Sequence, residues 1–384
     1  VTGMSTSTDI FDNEKYKFSD NLLNYYEYMK KNDVFASYAV VPPQAARNPE
    51  FYQKRNLPIP TLSVVSENDK GVVISGMKML ATSAIFANEI WIGNLIPLAP
   101  DQVKQSITCA IPCNANGLSL WMRQPLSNHY DNQFDAPLSW NQDETDVLVM
   151  CDKVLVPWER IFVKDDAIQA REIYFKTPAH CYGNHQSNVR YWSKMELIVG
   201  LCYKVAKATG ADEVPAVRET LGKMSALEST LSGMIYGQIE NAENWPENFK
   251  TFNRRIMYAA LNFCTDNYSM IIDELRTLCG GGVFQMPASI KVMKNKELLN
   301  DFETYFQTPQ MNALDRMKLF KLAWDVVGSE FAGRQLQYEK FYAGASFIIR
   351  NHNFRETPWN HFEDVVDKVM SKYDVPIKHD KAAE

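Results

Sequence analysis

The stretch DETDVLVMCDKVLVPWERIF, residues 143–162, decides how the chain is built, because it is the last place where apolar residues recur every second position. TDVLVMC and the following KVLVP alternate as strands with one covered face do. Upstream, from about Asp33, the segments FASYAVV, TLSVVS, GVVISGMKM, EIWIGNLI, ITCAIPC and LSLWMR keep that period, and Pro, Asn and Gly punctuate the turns. In ITCAIPC, for example, Ile107, Cys109, Ile111 and Cys113 fall on one face. Residues 33–163 are therefore expected to form a middle β-domain, an antiparallel barrel or sandwich. Downstream of about Asp165 the period becomes helical: Ile198, Leu201, Cys202, Val205 and Ala206 share one stripe, and Leu227, Leu231, Met234 and Ile235 share another. Residues 164–384 read as a C-terminal helical bundle. Ahead of the strands, FSDNLLNYYEYMKKND puts Leu22, Tyr25, Tyr26 and Met29 on one helical face. Residues 1–32 are thus read as the remnant of an N-terminal helical domain, apparently truncated, and the fold class as α+β.

The composition is that of an ordinary globular protein: 384 residues, 46% hydrophobic and 22% charged. A net charge of −6 without a Lys/Arg stripe excludes the phosphate-neutralising surface that nucleic-acid binding needs. The longest apolar runs, such as IWIGNLIPLA, fall short of the roughly 20 residues required to span a bilayer, and no membrane role is expected. Seven cysteines without a tight framework suit a reducing, cytoplasmic setting and buried thiols better than disulfides.

Familiar catalytic signatures are missing. The sequence has no GxxxxGK[ST], no GxGxxG after a strand, no GxSxG and no HExxH. Its histidines, at positions 129, 180, 185, 352, 361 and 379, show no i, i+4 pair of the kind that holds a metal, so no metal site is expected. Two stretches carry candidate chemistry. GMKMLATSAIFANEIW sets Lys78, Thr82 and Ser83 between two strands, where hydroxyls and backbone N–H groups can face a heteroaromatic ligand; the alternative is a connecting loop. HCYGNHQSNVRYW, residues 180–192, crowds polar groups at the expected entrance to a helix, with Asn184 or Ser187 as cap. There the helix field would keep the His185 imidazole neutral and available as a base; the alternative is a hydrogen-bonding loop histidine. Gly280, Gly281 and Gly282 read as a helix cap, or as close backbone approach to a phosphate.

The succession of YAVVPPQAAR (38–47), GMKMLATSA (76–84), DETDVLVMCDKVLVPWERIF (143–162), NHQSNVR (184–190), LCGGGVFQMP (278–287) and GSEFAGRQLQYEKFYAG (328–344) resembles the 4-hydroxyphenylacetate 3-hydroxylase family. FYAGASFIIRNHNFRE looks closest to the chlorophenol and nitrophenol 4-monooxygenases within it. The resemblance spans nearly the whole chain and implies an acyl-CoA dehydrogenase-like fold. It implies an oxygenase component that takes reduced FAD from a separate NAD(P)H-dependent flavin reductase. With O2 such enzymes form a flavin C4a-hydroperoxide and oxygenate a phenol, expelling a chloro or nitro group where one sits on the attacked carbon. A homotetramer is also implied, as is a 4-hydroxyphenylacetate-type ortho-hydroxylase as the alternative reaction.

Residue by residue, the resemblance makes His185 the substrate base, since a phenolate is attacked faster than a phenol. It makes Gln44, Arg47, Thr82, Ser83 and the turn Phe341, Tyr342, Ala343 and Gly344 the flavin-binding set, with the glycines at 280–282 reaching the flavin tail from a neighbouring subunit. Tyr38, Ile92 and Leu95, beside Trp91, are expected at the substrate pocket, which must be dry to keep the oxidant from decaying. Two departures stand out. The sequence begins after the family's Arg–Ser–Pro–x–Tyr-like motif, and Tyr38 stands where hydroxyphenylacetate enzymes have His. Readings of another class are an acyl-CoA dehydrogenase or dehydratase-like flavoenzyme and a non-catalytic remnant. The dehydratase would need a cluster-ligating Cys where this chain has Trp192.

Overall fold

The structure, a computed structural model, describes residues 1–373; His379 lies outside them. Helix α1 (Ser19–Asn32) leads into two four-stranded sheets. The first contains β1 (Ala36–Ala39), β4 (Glu89–Ile92), β5 (Thr108–Pro112) and β8 (Ile161–Val163) in the order β1-β4-β5-β8. The second contains β2 (Ser63–Asn68), β3 (Gly71–Lys78), β6 (Leu118–Met122) and β7 (Val147–Pro157) in the order β2-β3-β7-β6. Short helices α2 (Pro49–Gln53) and α3 (Pro137–Asn141) sit in the connections.

Three details depart from the expectations. The β1–β4 pair is parallel, with Tyr38 opposite Trp91, so the domain is a sandwich that is not wholly antiparallel. TDVLVMC and KVLVP are one strand: β7 runs through a bulge at Asp152 and Lys153, where Lys153 has φ +53° and the partner β3 slips register at Ile74 and Gly76. Gly76 itself has φ +114°, and a Cβ there would come within 2.2 Å of the Thr61 carbonyl oxygen. Finally, β4 and β5 are buried on both faces, so alternation does not mark their core side; α1 and α4 (Gln169–Phe175) contribute Leu22, Tyr25 and Ile173 to the same apolar core as these strands. The first 32 residues therefore share a core with the β-domain.

The helical part is built on α5 (Ala179–Thr209), α6 (Pro215–Glu240) and α7 (Arg254–Cys279), which pack on one another. A two-stranded hairpin, β9 (Glu243–Asn244) with β10 (Lys250–Thr251), joins α6 to α7. Then come α8 (Lys296–Phe306), α9 (Ala313–Val327), α10 (Glu330–Phe341), α11 (Ser346–Glu356) and α12 (Trp359–Met370). Asn253, Asn295, Asn312 and Ser329 cap α7 to α10 by accepting backbone N–H groups. Gly280, with φ +50°, ends α7, and Gly282 lies flat against the Phe320 ring, so the cap reading accounts for these glycines. Among the described residues no helix is long and apolar enough to cross a membrane.

Candidate active site

The segment 79–84 is pinned from both sides. Ser37 Oγ donates to the Thr82 carbonyl at 2.7 Å, Ala81 N–H to Val147 O at 3.0 Å and Ser83 N–H to Thr145 O at 2.9 Å. Leu80 and Ser83 are held at φ +62° and +60°, each a left-handed position that costs about 1–3 kcal/mol outside glycine. The hydrogen bonds from the flanking strands hold both positions in place.

The segment presents Thr82, half-buried, whose hydroxyl lies 3.4 Å from Asp146 Oδ1. Asp146 in turn receives a forked pair from Arg334 of α10, at 2.7 and 3.0 Å, and Arg334 also reaches Glu144 at 3.0 Å. Desolvation opposes the Asp146 charge, yet Arg334 and Arg123 outweigh it and hold the carboxyl below its ordinary range. Through Arg334 the β-domain is bolted to α10.

A ladder of rings and charges continues along α10. The Arg334 guanidinium lies over Tyr338 at 4.5 Å, and Arg190 of α5 lies over both Tyr338 and Tyr342, at 4.7 and 4.4 Å. Glu339, almost fully buried, accepts from Arg190 Nη2 at 3.1 Å and from Lys194 Nζ; Lys194 donates also to Gln335 Oε1 at 2.6 Å. Tyr38, from β1, completes the cluster beside Tyr342 and Tyr338. Its hydroxyl is pushed well above the usual tyrosine range by desolvation and then by Tyr342, although 47% of the residue is open to solvent. The seam between β-domain and bundle thus gathers Tyr38, Thr82 and Tyr342. Arg190, Arg334, Tyr338 and Glu339 join them; they lie in the quoted motifs, but nothing in the spacing announced pairings across 188 residues of chain.

Of the other expected site residues, some flank the seam in sequence and some are buried away from it. Gln44 and Arg47 sit exposed on the turn after β1, and neither side chain has a hydrogen-bond partner among the described residues. Phe341 is exposed and Gly344, with φ +96°, turns the chain from α10 into α11. Ile92 and Trp91 are core residues: Ile92 has no accessible surface, and Trp91 stacks on Phe162 at 4.7 Å while its indole N–H meets the Tyr174 hydroxyl at 3.0 Å. Only Leu95, partly buried after β4, keeps a surface to offer. Lys78 points into the β-domain and donates to Asn94 Oδ1 at 2.8 Å, which removes it from any ligand-facing role.

The polar knot at 180–192 is helix, not loop. It forms the first turns of α5, whose N-cap is Pro178, so neither Asn184 nor Ser187 caps it. Asn184 bonds back to the His180 carbonyl at 2.8 Å, and Asn188 donates to Met257 O at 3.1 Å. His185 therefore lies beyond the first turn, where the helix field has faded. Its Nδ1 donates to Gln238 Oε1 at 2.8 Å and its ring stacks on Phe252 at 3.5 Å. Five residues separate His185 from Arg190, about 140° around the helix, so His185 faces α6 and the hairpin whereas Arg190 faces the seam.

Comparison with known proteins bears on both halves. The family described as 4-hydroxyphenylacetate 3-hydroxylase N terminal matches residues 1–163, and its C-terminal counterpart matches residues 170–371. The chain belongs to the 4-hydroxyphenylacetate 3-hydroxylase family. The 4-hydroxyphenylacetate 3-monooxygenase oxygenase component of Thermus thermophilus is 30% identical over 90% of this chain and 70% of its own length. The 4-nitrophenol 2-monooxygenase oxygenase component of Rhodococcus sp. is 25% identical over 93% and 70%. Among solved structures, the oxygenase component HpaB of 4-hydroxyphenylacetate 3-monooxygenase complexed with FAD superimposes with a TM-score of 0.88 at 28% identity, covering 96% of this chain and 76% of that one. An archaeal 4-hydroxybutyryl-CoA dehydratase from N. maritimus shares the fold at 16% identity, with a TM-score of 0.85. At the position where a dehydratase would need its cluster cysteine, Trp192 instead donates to Glu228 at 2.6 Å.

Proposed function

We infer that the chain is the oxygenase component of a two-component flavin monooxygenase, which takes reduced FAD from a separate NAD(P)H-dependent flavin reductase and uses O2 to hydroxylate a phenol. The observation that carries this reading is the seam itself: in a chain matched to one flavin monooxygenase family along both halves, Tyr38, Thr82 and Tyr342 meet between β-domain and bundle. The residues fit a flavin. A strained segment offers hydroxyls at Thr82 and Ser83, an open aromatic wall is offered by Tyr38 and Tyr342, and unpartnered polar groups at Gln44 and Arg47 wait on the adjoining turn.

Bound there, reduced FAD supplies the electrons that let one atom of O2 enter the phenol ring while the other leaves as water. The protein's part is to hold and to exclude. Gln44 and Arg47 would hold the flavin, Thr82 and Ser83 would offer it their hydroxyls, and the turn Phe341 to Gly344 would flank it. Leu95 helps to keep water from the substrate. His185 is the proposed base: with Nδ1–H given to Gln238, Nε2 keeps the lone pair that takes the phenol proton. That role requires the substrate to reach the Phe252 side of α5. His185→Ala is expected to keep reduced-FAD affinity and lose at least tenfold in hydroxylation rate at neutral pH; an unchanged rate removes the assignment.

Tyr38 in place of His favours a phenol without the acidic tail of hydroxyphenylacetate, including a chloro- or nitrophenol; ortho-hydroxylation of 4-hydroxyphenylacetate is the second reading. The homotetramer that the resemblance implies would give a partner to α12, which is exposed along its length with Phe362, Val365, Val366 and Val369 on its surface. The deciding experiment is anaerobic loading with reduced FAD, then rapid mixing with O2 and a panel of phenols. A hydroxylated product from one phenol upholds the reading; release of hydrogen peroxide alone with every phenol refutes it.

A further inference from the structure

His185 is held by two neighbours, and neither comes from the 180–192 stretch. Gln238, near the end of α6, accepts from the ring Nδ1 through Oε1 at 2.8 Å, and Phe252 covers one ring face at 3.5 Å. Gln238 has no accessible surface, and its Nε2 is buried without a partner. A buried amide with idle N–H groups is a poor choice for packing alone, and the bond to His185 is the one polar contact of that side chain among the described residues. Both neighbours are anchored. The Gln238 carbonyl accepts from Asn253 N–H at 2.9 Å, Asn253 caps α7, and Arg254 ties back to Glu243 at 2.8 Å, which holds the end of α6 to the start of α7 across the hairpin. In the same turn the Phe252 ring stands at 75° to Tyr182, and the Phe252 carbonyl faces the Cys181 thiol at 3.6 Å.

The imidazole is thus clamped at one edge and one face, and Nε2 is the ring atom left without a partner among the described residues. That clamp decides a point of chemistry. A neutral imidazole free in water carries its proton mostly on Nε2, which then has no lone pair to offer; only the tautomer with the proton on Nδ1 can act as a base through Nε2. An acceptor fixed opposite Nδ1 reverses the preference, because it bonds the Nδ1–H ring and faces a lone pair in the other. Gln238 Oε1 is that acceptor, and among the described residues no carboxylate lies within ion-pair distance of the His185 ring to serve instead.

We propose that Gln238 is a positioning residue of this oxygenase: by accepting from Nδ1–H it fixes His185 in the tautomer whose Nε2 can take the phenol proton. The proposal rests on His185 as the base and adds a residue that acts only through it. The test is nitrogen NMR of the ring in the flavin-free protein at mildly alkaline pH, with the signal identified by its loss in His185→Ala. The wild type should carry the proton on Nδ1. Gln238→Met, similar in length but without an acceptor, should move it to Nε2, and Gln238→Glu, which can only accept, should return it to Nδ1. In rapid-mixing hydroxylation Gln238→Met should lose roughly tenfold or more in rate at unchanged reduced-FAD affinity, and Gln238→Glu should recover part of that loss. A packing role alone would change stability and leave the tautomer where it was. A proton on Nε2 in the wild type, a Gln238→Met ring still protonated on Nδ1, or full-rate hydroxylation by Gln238→Met would each overturn the proposal. A wild-type rate in His185→Ala would overturn it through the base assignment, and is told apart from the other failures by a wild-type spectrum that still shows Nδ1–H.

Discussion

Two buried cations of this protein live under opposite rules. Lys78, in the β-domain, has an amide for its partner and no carboxylate, and desolvation pushes its ammonium down to about 7. Arg190, on the seam, is largely enclosed, though less so than Lys78, but shares Glu339 with Lys194 and lies across two tyrosine rings; the carboxylate outweighs desolvation and keeps it charged. In the core, burial weakens the hold of the amine on its proton. The seam keeps its charges and pairs them, which fixes Tyr338 and Tyr342 in one arrangement before any ligand arrives.

The contrast can be broken at either end. The largest effect is expected from Glu339→Gln, which leaves Arg190 and Lys194 buried without a counter-charge and should cost about 3–5 kcal/mol, read by urea unfolding. Replacing the group by apolar residues, as in Arg190→Met with Lys194→Met and Glu339→Leu, should recover most of that loss; if the single and triple variants are equally unstable, paired charge is not what holds the seam. Arg334→Ala should follow at about 3 kcal/mol, because Asp146 then keeps only Arg123. Lys78→Met should go the other way and stabilise by about 1–2 kcal/mol.

The lysine also sets a pH signature. Because its folded value lies below the unfolded 10.5, the unfolded chain carries the extra proton between about pH 7 and 10.5. Stability contributed by this group therefore rises with pH across that window, by up to roughly 1.4 kcal/mol per pH unit, and is constant below it. Lys78→Met should flatten the slope. A slope of equal size in the variant would assign it to other groups.

Much of the fold was legible because one-sided burial leaves a period. β7 shows it plainly, with Val147, Val149, Cys151, Val154 and Val156 inward. Even so, the bulge at Asp152 and Lys153 split one strand into two readings. β4 and β5, covered on both faces, carry no such period, which is how Ile92 could be read as pocket lining when it is core. The knot at 180–192 looked like a loop because Gly183, Asn184, Ser187 and Asn188 are weak helix formers. Contacts such as Asn188 with Met257 override that propensity, and local sequence cannot announce them. Thr82 and Tyr342, proposed here for the flavin, came from resemblance, whereas the Arg334–Asp146 pair that joins α10 to the β-strands at that point is visible only in three dimensions.

The most direct test of the seam as the flavin site is an anaerobic titration of reduced FAD against the wild-type protein and Thr82→Trp, with His185→Ala as a reference on the other side of α5. Tight, saturable binding in the wild type and in His185→Ala, weakened at least tenfold by Thr82→Trp, is the expected result. Equal affinity in wild type and Thr82→Trp would mean that the flavin lies elsewhere, and the account of Tyr38, Thr82 and Tyr342 as one site would fall with it.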